Sequence, residues 1–300
     1  MDPLRDRELL RRWLGEICGR PEIEIQKRLD REEFWPGSSV LGAIRERGIA
    51  PHVSSEALEK FYRESDAYLF EDINWNRSAL KGWMRTWIAR HLGGAEGKPR
   101  KVLCFGDGIG VDSLYLSQSG HDATYFEVSR AAVEFARRLF ESEKAPIRRV
   151  RDFSELAPES FDAVVCLDVL EHVPDPAGLI RKLRALLKPA SELIVHAPYG
   201  AVSRFLPAHL ASNRKHFGAL DLYRDAGLHE VCANFLWMPI VLRTQAVPLE
   251  ERRTRRWNRA GLRASAALMR LSLRIPLLFE LGDWGFHVVN AAAVGLRRLG

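Results

Sequence analysis

The chain has 300 residues, 46% apolar and 28% charged, a balance that suits a folded globular protein of one large domain, or of one domain with helical additions. Its net charge of +6 is uneven: residues 241–300 hold 11 Arg against 4 acidic side chains, so the basicity belongs to the tail and not to the body. Cys18, Cys104, Cys166 and Cys232 form no C-x-x-C pair, and Cys104 and Cys166 fall in apolar runs, as expected of small packing residues in a reducing cytoplasm.

The first residues lack the basic start and apolar core of a secretory signal, and no apolar stretch reaches membrane-spanning length, so a cytoplasmic location is expected. Residues 1–98 read as helices. Leu9, Leu10, Trp13, Leu14 and Ile17 recur at helical spacing, as do Leu58, Phe61 and Tyr62, and Trp83 and Trp87 share a face four positions apart. Pro21, the stretch 36–39, Pro51 and Gly93-Gly94 punctuate them, and residues 93–99 form a linker.

From Lys101 to about residue 240 strands alternate with helices. Strands are expected at 102–105, 123–127, 147–150, 163–167, 193–197 and 230–235, and helices at 130–140 and 177–187. Several of the strands are near-continuous apolar runs, the signature of parallel strands covered on both faces. The fold class is therefore α/β, a Rossmann-like open, mostly parallel sheet with helices on both faces, whose ligands bind beyond the carboxyl ends of the strands. Residues 241–300 return to a basic amphipathic helical extension, with Arg252, Arg253, Arg255, Arg256 and Arg259 around Trp257 and apolar stretches near 268–281 and 284–296. Such a segment suits a peripheral contact with an anionic membrane, or a helix packed on the body or on a second copy in a homodimer. No specific nucleic-acid binding is expected, since no RNA-binding module accompanies the arginines.

Chemistry concentrates in a few places. The run Val102-Leu103-Cys104-Phe105 breaks into Gly106, Asp107, Gly108, Ile109 and Gly110, a strand, a tight turn and a helix start. A dinucleotide fingerprint needs its third glycine at 111, where Val111 stands, which disfavours a nicotinamide-dependent oxidoreductase. Glu127, with Val128 beside it, closes the second strand, where a carboxylate accepts from both hydroxyls of a ribose. Asp152-Phe153 follows the third strand; Asp152 also reads as the cap of a short helix at 154–156. Residues 161–176, FDAVVCLDVLEHVPDP, join a fourth strand to a loop holding Asp168, Glu171 and His172.

The G-x-G-x-G turn, this fourth-strand motif, the stretch 187–198 (LKPASELIVHAP) and the stretch 216–228 (HFGALDLYRDAGL) together resemble the class I S-adenosylmethionine (SAM) methyltransferases of the ubiquinone-biosynthesis group, over about residues 100–236. The resemblance implies a SAM-binding methyltransferase domain at 99–240 that yields S-adenosylhomocysteine and methylates an oxygen or nitrogen of a small-molecule acceptor, such as a lipid or secondary metabolite. In that pattern Gly106, Asp107, Gly108, Gly110, Glu127, Val128, Asp152, Phe153 and Asp168 hold the cofactor, and the helices of 1–98 help form the acceptor pocket, with Tyr62, Tyr68, Trp75, Trp83 and Trp87 as candidate lining. Cys104 departs from the pattern, which has an acid there to anchor the methionine end of SAM. Asp107 or Asp168 is expected to replace it, and the departure also admits a SAM-binding scaffold without catalysis. His172 is the candidate base, paired with Glu171, because an imidazole titrates near neutrality. The spacing Asp168-x-x-Glu171-His172 also resembles the cation-binding group of some methyltransferases, completed by His209 or His216, although the expected site holds no metal.

Overall fold

Seven strands form one open sheet in the computed structural model, which describes residues 3–93, 97–246 and 256–275. They are β1 (Lys101–Phe105), β2 (Asp122–Phe126), β3 (Arg148–Val150), β4 (Phe161–Leu167), β5 (Leu187–His196), β6 (His229–Ala233) and β7 (Ile240–Arg243). The order is β3-β2-β1-β4-β5-β7-β6, parallel from β3 to β5, with β7 antiparallel to both its neighbours. Alternate residues serve opposite faces. Leu103 and Phe105 join Phe161, Val164, Leu183 and Tyr223 on one side, and Val102 and Cys104 join Met84, Ile88, Val165 and Ile194 on the other. Cys104 and Cys166 are both buried, on opposite faces.

Six helices precede the sheet: α1 (Arg7–Cys18), α2 (Glu22–Phe34), α3 (Ser38–Glu46), α4 (Glu56–Glu64), α5 (Ala67–Asn76) and α6 (Ala79–His91). Side chains cap several of their free N–H groups. Asp6 accepts from Glu8 and Leu9 at the start of α1, and Ser78 accepts from Lys81 at the start of α6. The buried Glu32 accepts from the backbone of Gly37 and Ser39 at the start of α3. Four helices lie between strands: α7 (Val111–Gln118), α8 (Arg130–Ser142), α9 (Pro176–Ala185) and the short α10 (Asp221–Arg224). The expected helix at 177–187 stops at Ala185, and Leu187 already opens β5. The apolar stripe Leu10, Trp13 and Leu14 of α1 lies on Phe135 and Leu139 of α8, with the Trp13 and Phe135 rings edge to face at 5.6 Å. That end of the helical region therefore braces the flank of the sheet, and α5 and α6 reach the strand ends.

The apolar run expected as one strand at 230–235 is divided. It stops at Ala233, Asn234 caps a 3₁₀ turn at Phe235–Trp237, and the chain returns as β7 between β5 and β6. The sheet thus extends past residue 240, where the tail was expected to begin. A helix at Arg256–Ser272 follows, burying Leu262 and Met269 in the core that contains Trp237, whose indole N–H donates to the Leu262 carbonyl at 3.2 Å. The side chains of 252–259 and the apolar stretch 284–296 lie outside the described residues. No helix among the described residues is long and apolar enough to cross a membrane.

Candidate active site

The carboxyl end of β1 turns into α7 through Gly106, Gly108 and Gly110, at φ +69°, +50° and +83°. A β-carbon at Gly106 would lie 2.4 Å from a Val169 methyl, and one at Gly110 2.6 Å from the Phe140 ring, so close packing demands both glycines as firmly as backbone direction does. At Gly108 the near group is a carboxylate: a β-carbon there would lie 2.6 Å from Asp72 Oδ2. At each of the three glycines another part of the chain already occupies the space that a β-carbon would need.

Asp107 does not project from this turn as a free acid. Its Oδ1 accepts from the Asp112 N–H at 3.1 Å and its Oδ2 from Ser113 at 2.7 Å, capping α7. The first free N–H groups of the helix thus take up one lone pair on each of its oxygens. Burial, followed by the Asp112 charge, pushes its carboxyl up to about 7.

Glu127 follows directly on β2, one residue beyond the strand's end. Its Oε2 accepts from Gly108 N–H at 2.9 Å, and its Oε1 from Val128 and Ser129 at 2.7 and 2.9 Å. Burial raises its pKa against these three hydrogen bonds. Val128 stands exposed beside it. After β3, Asp152 Oδ1 accepts from Ser154 N–H at 2.8 Å while Glu155 accepts from the Asp152 N–H, a capping box on the 3₁₀ turn Phe153–Glu155. The capping reading of Asp152 is therefore seen directly, one residue earlier than expected. Phe153 meets the rings of Phe105 and Phe126 edge on. Neighbouring strands β1, β2 and β3 bring the glycine turn, Glu127-Val128 and Asp152-Phe153 along one edge in order.

Asp168, after β4, is held at φ +60° and accepts from three groups: Trp75 Nε1 at 2.9 Å, Lys81 Nζ at 3.1 Å and His196 Nδ1 at 2.6 Å. Burial works against its charge, but Lys81 and His196 prevail and hold the carboxyl well below the usual range. Groups from α5, α6 and β5 thus engage both its oxygens. Lys81 also meets Asp112 at 3.2 Å, and Arg85 Nε meets the other oxygen of Asp112 at 2.8 Å. Lys81, Arg85 and His196 were not among the expected site residues. The visible signal was a Lys and an Arg four apart on a largely apolar helix, but their acidic partners lie far along the chain.

The 3₁₀ turn Leu170–His172 presents the second group. His172 Nδ1 lies 3.1 Å from the Ala208 carbonyl, an acceptor only, so the proton sits on Nδ1 and Nε2 is the free lone pair. Its ring meets Tyr62 edge on at 5.2 Å and His209 at 4.7 Å, and Tyr62 stacks on Tyr68 at 4.3 Å. Burial lowers the His172 pKa to about 4 and that of His209 well below the usual value. Glu171 is 1% exposed, neither of its oxygens has a hydrogen-bond partner, and burial pushes its carboxyl well above the usual range. One ligand atom each from Glu171, His172 and His209 lies within 4.8 Å of the others, a donor set that suits zinc or manganese better than magnesium. His216 is not in this group and faces Tyr199 instead. Of the five aromatic residues expected in the pocket, Tyr62, Tyr68 and Trp75 come to it. Trp83 points outward, and Trp87 stacks on His91 over the opposite face of the sheet.

The open sheet with its glycine turn and acid-tipped strands defines a nucleoside-binding enzyme fold of the methyltransferase kind. The family described as "Methyltransferase domain" matches residues 77–235, more than half of the chain, and the protein belongs to that family. A ubiquinone biosynthesis O-methyltransferase of Alkalilimnicola ehrlichii is 38% identical over 112 residues, covering 36% of this chain and 44% of its own. Its counterpart in Pseudomonas aeruginosa is 35% identical over 137 residues, covering 44% and 55%. The chain thus spans about half the length of the curated relatives it matches. The solved Burkholderia thailandensis 1,6-didemethyltoxoflavin-N1-methyltransferase shares 20% identity at a TM-score of 0.44, covering 62% of this chain and 85% of that one.

Proposed function

We propose that the protein transfers the methyl group of SAM to an oxygen or nitrogen of a small-molecule acceptor, with an oxygen, as the O-methyltransferase names of its relatives suggest, the favoured target. The observation that carries the reading is Glu171: a fully buried carboxyl with both oxygens unpartnered, next to His172, is costly unless a ligand completes it. The glycine turn and Glu127 would hold the nucleoside, with Glu127 accepting from the ribose hydroxyls. Lys81, already in the cleft, would receive the carboxylate of the methionine arm.

Bound there, the cofactor supplies a methyl group on positively charged sulfur, which leaves as a neutral thioether. The residues supply alignment and a proton acceptor. Burial keeps His172 neutral at physiological pH, and Ala208 holds its Nδ1 proton, so Nε2 would be the atom to accept the proton of an acceptor hydroxyl. Glu171, 3.8 Å from that nitrogen, then faces the imidazolium. Tyr62 and Tyr68 form the aromatic wall that favours a flat acceptor.

Calorimetry with SAM, S-adenosylhomocysteine and NADH tests the cofactor half. The wild type should bind the first two and not the third, and Glu127→Ala should lose at least about 30-fold in affinity, the worth of one or two hydrogen bonds to a charged group. Retained affinity in Glu127→Ala would overturn the site assignment. Transfer of radiolabelled methyl to phenolic acceptors should fall at least about a hundredfold in His172→Gln at unchanged SAM affinity. Undiminished transfer would remove His172 as the base.

A further inference from the structure

We propose that Asp72, from α5 of the helical region, is the counter-charge for the positively charged methionine arm of the cofactor, an inference that rests on SAM being the bound group. The acids around the glycine turn are otherwise engaged. Asp107 caps α7, Asp112 is bound by Lys81 and Arg85, and Asp168 by Trp75, Lys81 and His196, while Glu127 is assigned to the ribose. Asp72 is the exception. Among the described residues no donor meets its carboxylate, and only its backbone carbonyl is used, by Asn76 Nδ2 at 2.9 Å.

Its position fits the arm. Asp72 Oδ2 lies 2.6 Å from where a β-carbon on Gly108 would stand, and the charges that act on the carboxylate are those of Glu127, Lys81, Asp168 and Asp107. Asp72 thus stands at the glycine turn within electrostatic reach of both the ribose acid and the lysine, the two groups assigned to the ends of the cofactor. A carboxylate there is penalised by burial and repelled by Glu127, and burial is the larger cause of a pKa pushed up to about 8. A sulfonium or α-ammonium beside it removes both penalties. With Cys104 uncharged on β1, the acid reaches the turn from the helical region above it rather than from the sheet below.

The test is calorimetry on the full chain, wild type and Asp72→Asn, with SAM, S-adenosylhomocysteine and 5′-methylthioadenosine, which keeps the nucleoside and thioether but lacks the arm and its charges. Asp72→Asn should weaken SAM at least about tenfold and leave methylthioadenosine within about twofold. An equal loss for S-adenosylhomocysteine assigns Asp72 to the α-ammonium, and a loss confined to SAM assigns it to the sulfonium; either supports the proposal. Unchanged or tighter SAM binding, or the same loss for methylthioadenosine, overturns it. Should Asp72→Asn fail to give the native near-ultraviolet spectrum, Asp72→Ser is read in the same way. A wild type that binds none of the three overturns the cofactor reading itself, a separate and recognisable result.

Discussion

Gly110 shows how a single residue serves both backbone and packing. Its φ of +83° is a region that costs an L-residue strain, and a β-carbon would meet Phe140 at 2.6 Å and Ala136 at 2.9 Å. Neither neighbour yields easily, because α8 is pinned against α1 through Phe135 and Leu139. Gly110→Ala should therefore cost about 2–4 kcal/mol, visible as a melting temperature lower by several degrees, even without cofactor. The need for glycine was legible from the sequence alone, but its packing cause was not. Phe140 lies thirty residues away, and no local pattern brings the two together.

At the scale of elements, His91 ties the end of α6 to the sheet. Its Nε2 lies 3.0 Å from Glu192 of β5, its Nδ1 faces Cys232 of β6, and Trp87 stacks flat upon it. Burial alone would lower its pKa, but the hydrogen bonds to Cys232 and Glu192 overcome it and raise the imidazole to about 9. Glu192 moves the other way, to about 2, as its bonds to His91 and Arg243 outweigh burial. With a folded pKa above the ordinary 6.5, His91 contributes its full stabilisation below pH 6.5 and loses it as pH rises through 9. The Glu192 share is full above 4.5 and fades as pH falls through 2. Denaturant titrations at several pH values should show stability falling between pH 6.5 and 9 in the wild type, with a His91 share of up to about 3 kcal/mol, and a shallower profile in His91→Gln, where the raised carboxyls of Asp72 and Asp107 leave a residual slope up to about pH 8. An unaltered alkaline slope in His91→Gln would show that another group titrates. Element boundaries carry a related lesson. The run 230–242 reads as one strand and a tail because Asn234 and Pro239 look like ordinary punctuation, yet they mark the reversal that inserts β7 between β5 and β6.

For the whole molecule, the decisive contact joins the helical region to the sheet across the cleft. Lys81 is 5% exposed and pairs with Asp112 and Asp168, while Trp75 and Arg85 add two more bonds from the same region. Burial would lower the lysine's pKa, but the two acids hold it above its usual range. Removing one partner from such a buried cluster leaves the others charged and uncompensated. Lys81→Met should cost about 3–5 kcal/mol and weaken SAM and S-adenosylhomocysteine together, as followed by chemical denaturation and calorimetry. A stable Lys81→Met protein with intact affinity would show that the cluster neither clasps the helical region nor receives the cofactor. α6 thus covers one face of the sheet and carries Lys81 to the acids at the strand ends.

Local patterns determined a good deal about this protein. Apolar runs and their spacing located the strands, three alternate glycines marked the turn, and acids at the strand ends marked the edge proposed to hold the nucleoside, because each depends on residues a few positions apart. Only the tertiary structure decided what those acids face. Asp107 and Asp168 look equally open in the sequence, but a helix N-terminus takes the first, and Lys81, Trp75 and His196 take the second. Asp72, unremarkable in the middle of α5, is the one placed over the turn. A carboxylate's role is set by which donors reach it through space, and contacts such as that of Lys81 with Asp168, 87 residues apart, leave no trace in the local pattern.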